Sequence, residues 1–176
     1  MKMEYNEENF KELFERLSYL REEVKKYKYD SLTGLRQRRD FDDTLNRRFE
    51  ACEFEEIPFA FIFADAIGLH NLNRSPDGGY EAGNQLLISI GKRLKERFEP
   101  LGKADVFRIS GDEFGVMLTG CDENNLKDMD LDCDMMSIVY VTVKPGSCFP
   151  TPSSVFKAAD KLMIAAKNSL PKEDRS

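Results

Sequence analysis

Ser110-Gly111-Asp112-Glu113 is a polar tetrad between two apolar runs, Val106-Phe107 and Phe114-Gly115-Val116-Met117-Leu118. That pattern predicts a strand, a tight turn and a second strand. Gly111 is read as the residue that supplies unusual backbone angles at the turn. A hairpin commits the chain to a sheet, and this one carries two adjacent, mutually repelling carboxylates at its tip. A divalent cation offsets such repulsion. The alternative is an ordinary polar turn, and the tripeptide alone does not choose between them. A further acid does. Phe59-Ala60-Phe61-Ile62-Phe63-Ala64 is a continuous apolar run that ends at Asp65. Such a run is typical of a strand covered on both faces. A carboxylate closing a buried strand, beside a carboxylate pair on a hairpin, predicts a metal–phosphate site.

The rest of the composition narrows the class. With 176 residues, 41% apolar and 33% charged, the chain suits one soluble domain with its own core. No apolar stretch approaches the roughly 18–20 residues that span a bilayer. The N-terminus is polar and acidic, without the pattern of a signal peptide. Cys52, Cys121, Cys133 and Cys148 are widely spread and form no CxxC, so reduced thiols in a cytoplasmic protein are expected. His70 is the only histidine, which argues against zinc. The net charge of -6 argues against nonspecific nucleic-acid binding but permits a small phosphate ligand held by local cations.

Phe10, Leu13, Leu17, Leu20, Val24 and Tyr27 recur at alternating three- and four-residue steps, predicting an amphipathic helix over residues 7–29. This seam either pairs two chains as a short coiled coil or packs on its own domain. At under three heptads, it leaves both readings open. Further helices are expected over 38–52, with Phe41, Leu45 and Phe49 on one face, and over 80–98, with Leu86, Leu87, Ile90 and Leu94 inward. Between them, Ile67 to Leu72 is read as leading into a polar loop at 73–79. Residues 121–134 are expected to be loop-like, 138–143 a strand, and 155–168 a last helix capped by Ser153. The expected fold is α+β, a mostly antiparallel sheet wrapped by helices. Residues 1–29 are the expected amphipathic helix, a coiled-coil stalk on the first of its two readings, with 30–170 the expected domain and 171–176 a frayed tail.

Several segments resemble the GGDEF domains, the diguanylate cyclases. Arg108 with Ser110-Gly111-Asp112-Glu113-Phe114 resembles their signature. Asp30-Ser31-Leu32-Thr33-Gly34-Leu35-Arg36-Gln37-Arg38-Arg39 resembles the opening D-x-L-T-G-L-x-N-R-R. The stretch from Asp65 to Asn73 resembles D-x-D-x-F-K-x-x-N, Gly79 to Asn84 resembles G-H-x-x-G-D, and Ala159 to Lys167 resembles A-D-x-A-L-Y-x-A-K. The matches fall in family order. The resemblance implies a fold related to adenylyl cyclase and polymerase palm domains. It also implies condensation of two GTP into cyclic di-GMP across a homodimer, with Mg²⁺ or Mn²⁺ at the site.

Carried over residue by residue, Asp65, the Ala66 carbonyl, Asp112 and Glu113 would hold metal, with Asp112 and Glu113 also catalytic. Asn73 and Asn84 would read guanine, Lys167 and His70 would contact phosphate, and Gly111 would let the nucleotide approach the backbone. The departures are explicit. Ser110 stands for the first Gly of the signature, Ile67 for the second Asp of D-x-D, His70 for a phosphate-binding Lys and Asn84 for a charged acceptor. Pro171 stands for a frequent Arg, beside Lys172. The loop before Gly79 is two residues longer than the pattern. Leu101 and Ala104 occupy the positions of the product-inhibition motif, with Asp105 out of register, so feedback binding there is not expected. Full-length members usually carry a sensor before the helix, so the chain is read as a fragment or as signalled by a partner. The preferred reading is a weak cyclase. The alternatives are a degenerate domain that senses nucleotide or dimerises, and a cyclase of relaxed base specificity.

Overall fold

Eight consecutive buried residues, Phe59–Ala66, form the central strand of a five-stranded sheet. The structure is a computed structural model, and it describes residues 7–74, 79–127, 129, 131 and 133–169. The elements in order are α1 (Glu7–Lys28), β1 (Arg36–Gln37), α2 (Arg38–Phe54), β2 (Phe59–Ala66), α3 (Leu69–Arg74), α4 (Gly79–Phe98), a 3₁₀ turn (Glu99–Leu101), β3 (Ala104–Arg108), β4 (Glu113–Thr119), α5 (Glu123–Lys127), β5 (Met136–Val143) and α6 (Pro152–Ser169). The spatial order is β1-β3-β4-β2-β5. All pairings are antiparallel except β1 with β3.

Strand alternation divides β2 between two cores. Ala60, Ile62 and Ala64 face Leu87, Ile90 and Leu94 of α4. Phe59, Phe61 and Phe63 face the other way, against Phe41, Leu45 and Phe49 of α2 and Val155, Ala159 and Met163 of α6. There Phe41 lies 5.2 Å from Phe61 and meets Phe107 edge-on at 5.5 Å. Each such pair contributes about 0.5–1.5 kcal/mol beyond its buried area. Leu86, expected inward, is only partly buried. By the same alternation Asp65 continues the Phe59, Phe61, Phe63 row and points to the α6 side.

The expected hairpin is present as β3 and β4, and β5 starts two residues earlier than expected. Two of the expected elements need correction, and one open question is resolved in the fold. The segment expected to enter a polar loop folds as α3, so Asn73 is helical. None of its residues is fully buried, so no apolar period announced it. The last helix starts at Pro152, and its cap is Thr151 rather than Ser153. Thr151 Oγ1 accepts from the Ser154 N–H at 3.2 Å while Ser154 Oγ accepts from the Thr151 N–H at 3.3 Å. That reciprocal pair, with proline opening the helix, is a strong start signal. Finally, α1 does not fold back on the domain. Phe10, Leu13, Leu17, Leu20, Val24 and Tyr27 are 46–67% exposed and enter neither core. The loop at 75–78 and the tail at 171–176, with Pro171 and Lys172, lie outside the described residues.

Candidate active site

The β2–β4 register sets Asp65 opposite Glu113. One residue on, the Ala66 N–H donates to the Asp112 carbonyl at 2.9 Å. These two links stitch the hairpin tip to the end of the buried strand, so Asp65, Asp112 and Glu113 share one corner of the sheet. Asp65 is only 6% exposed. Burial pushes its carboxyl above the usual carboxylate range, and the charges of Asp112 and Glu113 push the same way. Lys167, reaching from α6, opposes this with its ammonium 2.7 Å from Asp65 Oδ1.

Glu113 is also engaged. Its Oε2 accepts from Ser110 Oγ at 2.6 Å. The residue that replaces the signature's first glycine therefore acts less as a steric obstacle than as a donor to a neighbouring acid. Among the described residues, no three acidic, histidine or cysteine side chains converge as a ready-made metal cage. Lys167 engages one carboxylate of the corner and Ser110 another. The donor chemistry nonetheless suits a hard divalent ion. Three carboxylates share a corner with one ammonium, and the buried one is held in a form that extra positive charge would relieve.

Gly111 does not have the positive φ expected of it. A Cβ there would meet no protein atom within 4 Å, so its bareness faces open space. The turn closes through Glu113, whose carbonyl accepts from the Ile109 N–H at 2.7 Å. Arg108 braces it from behind. Its Nη2 donates to the Gly111 carbonyl at 2.7 Å and its Nη1 to Asp30 Oδ1 at 2.9 Å.

Asn73, on α3, lies against Gly83 of α4. A Cβ on Gly83 would fall 2.0 Å from Asn73 Oδ1 and 3.0 Å from Leu69 Cδ1, so the bare glycine leaves room for α3 to seat its asparagine on α4. The two expected base readers thus lie on adjoining helices, Asn73 on α3 and Asn84 on α4. His70 is exposed on α3, with Nε2 3.2 Å from Nη1 of Arg74. Arg74, one helical turn away, adds a cation that none of the sequence motifs singles out. Lys167, expected to contact phosphate, is paired with Asp65 in this structure.

The opening motif proves structural. Asp30 Oδ1 accepts from Thr33 N–H at 2.8 Å and Thr33 Oγ1 at 2.7 Å besides Arg108. Gln37 Nε2 donates to the carbonyls of Tyr29, at 2.6 Å, and Lys26, at 3.2 Å, closing the end of α1. Asp105 is held by Arg36 and Arg48. A cleft of about 660 Å³ separates α1 from Ser110 and Gly111 and is lined by Lys25, Lys26, Arg38 and Arg108. All four cations already have carboxylate partners, in Glu22, Glu23, Asp42 and Asp30.

Residues 27–172 match the family model described as "Diguanylate cyclase, GGDEF domain". The chain belongs to the GGDEF family. It is 34% identical over 91 residues to the cyclic di-GMP phosphodiesterase NbdA of Pseudomonas aeruginosa strain PAO1, a match covering 51% of this chain and 11% of that protein. It is 26% identical over 158 residues to an uncharacterized membrane protein of Staphylococcus aureus strain USA300, covering 80% of this chain and 43% of the relative. The chain therefore spans less than half of either relative. A solved structure of the coiled coil and GGDEF domain of DgcB from Caulobacter crescentus, in complex with c-di-GMP, superposes with a TM-score of 0.77. The match is 18% identical and covers 92% of this chain and 91% of that one, which shows the fold. Among the described residues, no helix of this GGDEF protein is long and apolar enough to cross a membrane.

Proposed function

We propose that this GGDEF domain is a slow diguanylate cyclase, condensing two GTP into cyclic di-GMP between two copies of the chain. The observation that carries the reading is the shared corner of Asp65, Asp112 and Glu113, fixed by the Asp65–Glu113 register and the Ala66–Asp112 hydrogen bond. In each half-reaction a ribose 3′-hydroxyl forms a bond to the α-phosphorus of the other nucleotide, and the bond to the departing pyrophosphate breaks. Asp65, Asp112, Glu113 and the Ala66 carbonyl would hold Mg²⁺ or Mn²⁺, which would neutralise charge on the phosphates and polarise the reacting oxygens.

The chain's own groups do the positioning. Asn73 and Asn84 hydrogen-bond the guanine edge, and bare Gly111 leaves room for the ribose. Asp112 accepts the proton of the attacking hydroxyl, while Lys167, His70 and Arg74 face the phosphates. Weak, poorly selective GTP binding follows from His70 in place of a lysine and from Asn84, which keeps a carbonyl acceptor without the charge. The exposed α1 seam supplies a pairing surface for the homodimer, and an upstream sensor or partner supplies the signal. The cytoplasm, with its GTP, is the proposed setting.

A second reading is a degenerate domain that binds nucleotide or dimerises without turnover. It is favoured by the engagement of Asp65 by Lys167 and of Glu113 by Ser110. Incubation with GTP and Mg²⁺ or Mn²⁺, with products separated by chromatography, decides between them. The cyclase reading predicts cyclic di-GMP that disappears in Asp112→Asn, whereas nucleotide binding without product supports the degenerate domain.

A further inference from the structure

Lys167 sits where a resident cation would. Its ammonium is 2.7 Å from Asp65 Oδ1, its side chain is 36% exposed, and the carboxylate it meets is 9% exposed. Asp112 and Glu113 border the same corner and add their negative charge against Asp65, while Lys167 supplies positive charge against it. The lysine stands in the last turn of α6, which ends at Ser169, and one turn beyond Met163, the last of that helix's core anchors. Its tip can therefore swing without disturbing the core, whereas Asp65 is fixed in a strand buried on both faces.

We infer that Lys167 is a built-in competitor for the divalent cation, so that loading the metal and releasing the lysine are one exchange. The inference rests on the metal reading of Asp65, Asp112 and Glu113 given above. A divalent ion must displace the ammonium to gain an Asp65 oxygen. The freed ammonium, still tethered beside the corner, then faces whatever anion accompanies the metal. Metal alone therefore binds weakly, because it must break an ion pair, while metal with a triphosphate binds more tightly, because the displaced lysine gains a new partner. This couples cation occupancy to nucleotide and keeps the corner from holding a stray ion.

The test is calorimetric titration of Mn²⁺ into the full chain without nucleotide, comparing wild type with Lys167→Met. The neutral variant is expected to bind Mn²⁺ about tenfold more tightly, the size of effect that one neighbouring charge commonly exerts on an ionisable group. Lys167→Arg is expected to behave as wild type. Lys161→Met, an exposed lysine on the same helix, controls for net charge and is expected to change nothing. Asp65→Asn is expected to abolish binding in either background. If Asp65→Asn abolishes binding but Lys167→Met binds no more tightly than wild type, the metal site stands and the competition is overturned. If wild type and Lys167→Met both fail to bind Mn²⁺ even with GTP present, the metal reading falls and this inference falls with it. A readout independent of any variant is the ε-methylene NMR signal of Lys167 in lysine-labelled wild type under Mg²⁺ titration. It is expected to move in step with saturation, and a signal that stays fixed through saturation overturns the exchange.

Discussion

Asp30 and Asp65 are both drawn out of water and both meet a basic side chain, yet their carboxyls shift in opposite directions. Burial alone would raise Asp30, but hydrogen bonds from Arg108 and Thr33 outweigh it and hold the group below the usual carboxylate range. Burial also raises Asp65, and there one lysine does not offset it because Asp112 and Glu113 add their own charge. The first acid is satisfied: two side chains and a backbone N–H converge on one oxygen, joining the stalk end to the hairpin. The second is crowded. On the function proposed above, a carboxylate used for stability collects donors, and one used for chemistry is kept short of them.

The largest effect that would break this contrast is on turnover. Asp112→Asn is expected to reduce cyclic di-GMP formation by about 10²-fold or more, since it removes a charge from the metal corner. Its melting temperature is expected to stay close to that of wild type. Next comes Arg108→Met, which strips Asp30 of its ion pair and Gly111 of its brace. A loss of about 1–3 kcal/mol is expected for a half-buried, charge-assisted bond. For a domain of this size that is roughly 2–4 °C per kcal/mol in a thermal melt. Asp30→Asn is expected to lose a similar amount, and the double variant less than the sum, because both remove one shared ion pair.

How far the sequence foretold the two regions differs for physical reasons. The core strand and hairpin were legible because a continuous apolar run and a turn between apolar runs are local signals, and they located Asp65, Asp112 and Glu113 together. α3 was not legible. It has no fully buried face and is seated through Asn73 over Gly83, a contact between two separate motifs. The cap of α6 was misplaced by two residues because Thr151, Ser153 and Ser154 are all competent, and only the backbone chooses among them. The engagement of Asp65 by Lys167 and of Glu113 by Ser110 depends on how α6 and the turn are set against the sheet, which no spacing encodes. The coiled-coil alternative for α1 was left open by a short seam, and the exposed seam removes the self-packed reading.

Smaller effects sharpen the contrast. Ser110→Gly frees the Glu113 carboxylate from one hydrogen bond, worth about 1 kcal/mol. Mn²⁺ affinity is expected to rise severalfold, with the melting temperature nearly unchanged. The pH dependence of stability carries the smallest signal, and its sign differs between the two acids. Asp30, with a lowered value, contributes stability that is fully present above its ordinary value near 3.8 and is lost as pH falls through the lower folded value. Asp65, with a raised value, does the reverse. Its contribution is fully present below the ordinary value and is lost as pH rises through the higher folded one. Denaturant melts between pH 3 and 7 are expected to show a shallower acid limb in Asp30→Asn.

The most direct test of the contrast is a thermal melt of metal-free Asp30→Asn beside metal-free Asp65→Asn at pH 7. Removing the charge of Asp30 is expected to lower the melting temperature by several degrees, and removing that of Asp65 to leave it unchanged or raise it. If Asp65→Asn is destabilised as much as Asp30→Asn, the Asp65–Lys167 pair is a structural brace like Asp30–Arg108, and the corner of three acids is not held in readiness for a cation.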